Sequence, residues 1–521
     1  MKKKGVVVAV FFAVILLAST ATFAFNSNPK KTDDMSITNT PMDNFPDEQR
    51  EKFCETGDAK SNAYVTEFKI PTKCTQPLAI TTDGDGMVWF GQTNTGKIAR
   101  FDPQSEQFTE FDNPGWPQKG RSMFWGIAYS DGDIWYTDDA YNSIWKFSTS
   151  DKTYDRTNYP TTQDSLPHHL KIQNSKLIVN DFYESKISIL DIVETGQNGT
   201  YVNIPSPIPG SFTSSFDTDS QGNIWYTNWI LKQGGVLVKF DYNEFLEFIS
   251  SPQMTNSTSA QFSDVFDLPP TLGTPIGLSV DGNDNIWMAD TSSSSFFKFD
   301  SQSEKFTRYI TSDPDPLVYG NATGLIKSPT SGPYWTQIDN GKLIFNEQIA
   351  NAIGVFDITS ESLVEYNVPS KNPNWSDCGS IEECGISQVF GFVSSGDKIW
   401  FTEWVENNIG MVDTAKALPF DLQVSSADVS MAKGDSVEIQ MQITPKTNTK
   451  ATISHRTTSQ FNDVSVLIPT AQVDLTESNA QTIPVSINVS DFALPGTYKV
   501  LLSAKTSDVS VSKFVTVTIT E

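Results

Sequence analysis

One short segment recurs seven times along the chain: MVWFGQ (87–92), DIWYTD (133–138), KLIVND (176–181), NIWYTN (223–228), NIWMAD (285–290), KLIFNE (342–347) and KIWFTE (398–403). Successive copies begin 43 to 62 residues apart. Repetition at such a period marks an array whose units bury their apolar faces against one another. Each copy is rich in aromatic and β-branched residues, so it reads as a strand, and a turn precedes most of them, as at Asp131-Gly132, Gln221-Gly222, Asp281-Gly282 and Asn340-Gly341. A second strand follows (KIARFD, SIWKFS, KISILD, VLVKFD, FFKFD, IGVFD, IGMVD), then an aromatic-rich third ending near proline, as in FTEFDNP and LVEYNVP. With the segment ahead of the turn, such as WGIAYS or IGLSV, each unit holds four short strands, the make-up of a propeller blade.

The ends of the array argue for a closed ring. The seventh unit stops after IGMVD without its last strand, while YVTEFKIP (64–71) has that strand's pattern and no unit before it. A first strand that completes the last unit removes the edges an open array would expose. A seven-bladed β-propeller over 64–415 is expected. From 418 to 521 the segments FDLQVSS, SVEIQMQI, IPVSINVS, GTYKVLLSAKT and KFVTVTIT alternate apolar and polar residues between turns, which predicts a β-sandwich. Its Leu494-Pro495-Gly496-Thr497-Tyr498 entry resembles immunoglobulin-like modules at the end of exported prokaryotic proteins, which implies a spacer or surface-attachment role. The fold class is therefore all-β.

Lys2 to Lys4 precede an apolar run from Val6 to Ala18 and the small-residue stretch Ser19 to Ala24, the order of a secretory leader. Residues 1–24 are read as a signal peptide or an N-terminal membrane anchor, and 25–63 as a polar linker, so the protein is expected outside the cytoplasm, secreted or held at the outer side of the membrane. Four cysteines fit an oxidising compartment, with local pairing of Cys54 to Cys74 and Cys378 to Cys384 preferred on proximity. Zinc is disfavoured because no histidine lies near any of them. Sequons at Asn198, Asn256, Asn321, Asn374 and Asn488 agree with export. A balance of 37 basic against 62 acidic residues, net −25, excludes nucleic acid as a natural partner, since phosphate backbones would be repelled.

The W-F-T-E strand, the Asn407-Asn408-Ile409-Gly410 strand after it and the Pro275-Ile276-Gly277-Leu278 type of strand before it resemble the virginiamycin B lyase family, the streptogramin lyases and their relatives. The resemblance covers most of 64–415. It implies a seven-bladed propeller with a site on the face of the loops after the second strand and before the first, where the lyases place histidines, a glutamate and a magnesium ion and open a macrocyclic ester by elimination. Glu403 matches the glutamate. The position two residues on, where the family has an imidazole, is Val405, and the other units have Asn94, Ala140, Tyr183, Ile230, Ser292 and Ile349 there. None of these is a general base of suitable pKa.

The residues themselves still suggest a site. The repeated strand ends in Gln92, Asp138, Asp181, Asn228, Asp290, Glu347 or Glu403, and radial symmetry is expected to bring these to one channel mouth. The five carboxylates, Asp138, Asp181, Asp290, Glu347 and Glu403, form a candidate site for Mg²⁺ or Ca²⁺. The alternative for each is a side chain that accepts backbone hydrogen bonds from the next loop. His168 and His169, after Pro167, are candidate bases or ligands on the same face, with Glu403 as third catalytic candidate. Trp229 and Trp404, one residue beyond the ring, are candidate ligand contacts, whereas Trp89, Trp135, Trp225, Trp287 and Trp400 are expected in the core. Two functions follow: an extracytoplasmic propeller binding a small molecule or a cell-surface partner, or a divalent-metal-dependent lyase or lactone hydrolase using the acidic ring.

Overall fold

The computed structural model describes residues 53–117, 120–159, 165–191, 201–231, 233–249, 259–321 and 329–520. The proposed leader 1–24, most of the polar linker and the sequons at Asn198 and Asn256 lie outside them. Strand is the dominant element among the described residues. In chain order, four-stranded antiparallel sheets span 77–111, 127–158, 167–205, 216–267, 275–310 and 333–367, called here the first to sixth. The seventh combines Val389–Ser395, Lys398–Glu403 and Asn408–Asp413 with Val65–Lys69. That last strand pairs with Asn408–Asp413 in the register Val65↔Val412 to Lys69↔Asn408, so the displaced YVTEFKIP segment closes the array as its pattern predicts. The fold is a β-propeller.

The repeated motif explains how the sheets are spaced. Its tryptophan is buried and, in three sheets, ties the preceding turn: the indole Nε1 of Trp89, Trp225 and Trp287 donates to Asp83, Asp219 and Asp281 at 2.7, 2.9 and 2.9 Å. The residue just before the ring position bridges to the next sheet. Thr137 Oγ1 accepts from Gly126 N and donates to His168 O, and Thr402 Oγ1 accepts from Gly391 N and donates to Leu78 O. Asn180 and Asn346 do the same with their amide groups, reaching Thr213 O and Val389 O. Thr402 thereby joins the seventh sheet to the first.

Each of five first strands carries a β-bulge near its start, between Pro77 and Ile80, Pro167 and Leu170, Pro275 and Leu278, Pro333 and Thr336, and Val389 and Phe392. A bulge re-aims the side chains within it. Gly277 and Gly391 sit in these bulges because the neighbouring backbone comes very close: an added Cβ would lie 2.4 Å from Tyr334 O and 2.1 Å from Leu78 O.

Beyond the propeller, Phe420–Val424, Ser436–Pro445, Gln481–Val489 and Val464–Leu467 form one sheet. It packs on a second that contains Thr449–Thr457, Gly496–Lys505 and Val509–Ile519. The second sheet is continuous with the sixth propeller sheet, because Val509–Ile519 pairs antiparallel with Ser362–Asn367. The sandwich therefore covers an outer edge of the propeller. Disulfides join Cys54 to Cys74 and Cys378 to Cys384, the local pairing preferred from the sequence. They fit an oxidising, extracytoplasmic setting. No helix among the described residues is long and apolar enough to cross a membrane.

Candidate functional site

The seven ring residues lie at equivalent places, yet they do not meet at a channel mouth. Their strand is second from the axis, behind the first strand of each sheet, and all seven are buried. Among the described residues no group of three or more His, Cys, Asp or Glu side chains is placed to hold a metal ion. The five expected carboxylates, Asp138, Asp181, Asp290, Glu347 and Glu403, are thus not gathered into one such group.

Most ring residues tie loops instead. Asp138 accepts from Ser122 Oγ, Trp145 Nε1 (2.8 Å) and Tyr141 N (3.1 Å). Asp181 accepts from Leu166 N and Glu184 N, both at 3.0 Å. Asp290 accepts from Thr274 N (2.8 Å), Ser292 Oγ and Ser293 Oγ (2.7 Å each). Gln92 and Asn228 bond Glu110 and Ser206. Burial raises the Asp138 and Asp181 carboxyl groups to about 6 despite these donors.

Glu403 and Glu347 have a different partner, a second carboxyl group from the fourth strand. Glu403 faces Glu67 and takes one hydrogen bond from Asn408 Nδ2 at 2.9 Å; Glu347 faces Glu365. Burial first, and the facing glutamate second, push both well above the usual carboxylate range. Glu67, Glu110 and Glu365 were not singled out from the sequence. Their signal was a glutamate in the aromatic-rich last strand of the unit, as in YVTEFKIP, FTEFDNP and LVEYNVP.

The mouth on the ring side is closed. Leu78, Trp125, His168, Ile276, Tyr334 and Phe390, aimed inward from the first strands, are all buried and pack as one layer. Ring centroids of Trp125 and His168 lie 4.8 Å apart, and those of Tyr334 and Phe390 5.5 Å. His168 Nδ1 is 2.8 Å from Ser214 O, so that nitrogen carries the proton and donates, while Nε2 has no partner. Burial lowers its pKa to about 4. Trp229 and Trp404, expected at an exposed rim, are only 1% and 2% exposed: the repeated strand of the fourth sheet runs on to Ile230, and Trp404 packs on Trp375 and Phe390. The rim assignment is corrected accordingly.

Behind that layer, the first strands of all seven sheets enclose a cavity of about 510 Å³. Here His169 stands apart from His168. Its ring lies against Trp335 (5.3 Å between centroids), its Nδ1 is 3.1 Å from Ser215 Oγ, and it lines the cavity, with burial and the nearby Lys171 holding its pKa well below the usual range. Lys171 Nζ pairs with Asp217 Oδ1 at 2.7 Å, and Asp217 Oδ2 also accepts from Val280 N. Trp125, Tyr129 and Gln337 complete a wall that mixes aromatic faces with polar groups. Lys171 and Asp217 were missed in sequence because nothing but the axial position of their strands distinguishes them from other surface charges.

The comparisons agree with this architecture. The structure of virginiamycin B lyase from Staphylococcus aureus superposes with a TM-score of 0.50 at 19% identity, covering 68% of this chain and 99% of that one. A streptogramin B lyase structure gives 0.49 at 20% identity, covering 67% and 99%. The extracellular domain of a putative hybrid two-component system from B. thetaiotaomicron gives 0.47 at 11%, covering 89% of this chain and 60% of that one. At these identities the likeness is one of fold. No family model matches the chain, and no curated protein matches it either.

Proposed function

We propose that the protein is an extracytoplasmic, seven-bladed propeller with an immunoglobulin-like C-terminal domain, and that it binds a small molecule in its axial cavity without histidine-based lyase chemistry. The carrying observation is the cavity itself, concave and lined from every sheet by aromatic faces and a few placed polar groups, the usual make-up of a ligand site. Lys171 and Asp217 would orient a polar or charged group, and Trp335 with His169 would cover a flat apolar body. Against a lyase stand Val405 in place of the family imidazole, the aromatic layer over the ring face, and Glu403 held against Glu67. Whether the chain is secreted or anchored depends on the leader.

A thermal-shift screen of amphipathic small molecules on the wild type and on Lys171→Met tests the reading. Hits whose stabilisation falls at least tenfold in apparent affinity in Lys171→Met support it, and hits indifferent to that change place the ligand elsewhere. Assay of cyclic esters and lactones with and without Mg²⁺ tests the alternative enzyme. Turnover abolished by EDTA would replace the binding reading with a metal-dependent lyase or lactone hydrolase.

A further inference from the structure

The wall of the axial cavity carries one cationic and one anionic side chain, Lys171 and Asp217, and the two are not equally engaged. Asp217 Oδ1 accepts from Thr218 N at 2.8 Å as well as from Lys171 Nζ at 2.7 Å, and Oδ2 accepts from Val280 N at 3.0 Å. Three donors thus share its charge. An ammonium has three N–H groups, and Asp217 is the one acceptor of Lys171 among the described residues, so two are left over. Burial first and Lys171 second hold the His169 imidazole well below its usual range, so it stays neutral and adds no second cation.

The rest of the wall repeats this bias toward donors. Gln337 Oε1 is taken by Ser394 N at 3.0 Å, which leaves its NH₂ group unspent. Trp335 Nε1 can only donate, and it has no acceptor among the described residues. The hydroxyls of Ser279 and Thr336 are bonded to each other at 2.9 Å. A ligand therefore meets unspent N–H groups from the third and sixth sheets, while the carboxylate and amide oxygens of the wall are engaged. The same two sheets supply a flat apolar pair, since Trp335 lies against His169 from across the axis, with 5.3 Å between ring centroids. His169 packs on Phe216 and Lys171 pairs with Asp217, so both side chains face the fourth sheet from one side of their strand. Residues two apart on a strand are separated by roughly 7 Å, so a ring held by His169 and Trp335 has Lys171 within reach of a short arm.

We propose that the axial cavity selects organic anions built as a flat ring with a short carboxylate arm, the ring against Trp335 and His169 and the carboxylate on Lys171. The proposal rests on the binding of a small molecule in this cavity and adds the sign of that molecule's charge. A carboxylate accepts from the free N–H groups of Lys171 without displacing Asp217. It does so in a pit closed on the ring side, where a charge-assisted hydrogen bond is strong. A cationic ligand would have to compete with three donors for Asp217.

Calorimetric titration of the full-length protein near pH 7 with indole-3-acetate, indole-3-acetamide and tryptamine tests the proposal, because the three share one ring system and differ in charge. The protein is expected to bind the acetate about tenfold or more tighter than the amide, and the amine no better than the amide. Lys171→Met should bring acetate and amide within about twofold of each other, and Lys171→Arg, which keeps the charge, should retain most of the preference. An amide or amine bound as tightly as the acetate, or a preference that survives in Lys171→Met, overturns the anion and leaves the binding reading standing. No saturable heat from any of the three up to about 10 mM also overturns the anion class. The binding reading falls with it only if the broader thermal-shift screen is empty too.

Discussion

Ser370, in the loop that leaves the sixth sheet, donates both its backbone N–H (2.9 Å) and its hydroxyl to the carboxyl group of Glu67 on the strand that closes the seventh. The same contact recurs at two neighbouring joints: Ser312 donates twice to Glu365, and Thr72 Oγ1 donates to Glu110 at 2.5 Å. A fourth-strand glutamate thus fastens each of these sheets to the loop of the one before. Glu67→Ala is expected to cost about 2 kcal/mol, because it strands the Ser370 donors in a buried place. Glu67→Gln should cost less than half of that, since it keeps an acceptor and relieves repulsion with Glu403. Urea midpoints measure both, and equal losses would show that the Ser370 contact does not hold the joint.

Removing residues 64–71 deletes the strand paired with Asn408–Asp413 and leaves the seventh sheet with an open edge. The melting temperature should fall by on the order of 10 °C, equivalent to several kcal/mol for a domain of this size. An unchanged melting temperature would mean that the ring holds without its closing strand.

Much of this fold was legible because it rests on local rules repeated many times. Trp89, Trp225 and Trp287 each sit six residues after a turn aspartate, so the strand, its turn and its burial are all written within one segment. The closing strand was legible because a missing piece and a surplus piece had the same pattern. Side-chain direction at the strand end was not. Alternation with period two fixes which residues share a face of a sheet, but leaves open whether a strand's last residue meets the axis or a neighbouring loop. Asp138 and Asp290 therefore read as a ring and turned out to be loop ties. The bulges that aim His168 and Tyr334 across the axis lie where adjacent first strands come close, a tertiary relation. The pairing of Tyr366 with Val509 is likewise tertiary, and nothing in either strand alone announces it.

Asp138 and Asp181 predict how stability changes with pH. Their folded pKa, about 6, lies above the ordinary 3.8, so the native state holds these protons more tightly than the unfolded chain. Their contribution is complete below about pH 4 and is lost as pH rises through about 6. Each is worth about 3 kcal/mol at most across that window. Asp138→Asn should flatten that loss while retaining the bond from Trp145 to its side-chain oxygen. Urea unfolding at pH 4.5, 5.5 and 7 measures it, and a variant whose stability declines as steeply as the wild type would place Asp138 in a wetter setting than its burial indicates.

His168 acts in the opposite direction over the same range. Its folded pKa, about 4, lies below the ordinary 6.5, so the native state resists protonation. The stability this provides is present above about pH 6.5 and is lost as pH falls through about 4, again about 3 kcal/mol at most. In the wild type the loss at His168 offsets about half of the combined gain at Asp138 and Asp181 on acidification. His168→Phe separates the two. Phenylalanine already fills this position in the seventh sheet as Phe390, so the aromatic layer should survive at the cost of the bond to Ser214 O, about 1 kcal/mol. With this imidazole gone its opposing loss disappears, and on acidification from pH 6.5 to 4.5 stability should rise more steeply in the variant than in the wild type. Curves that run parallel in the two proteins would mean that the imidazole takes up its proton freely in the folded state, which a side chain sealed between Trp125, Phe182 and Trp335 cannot do.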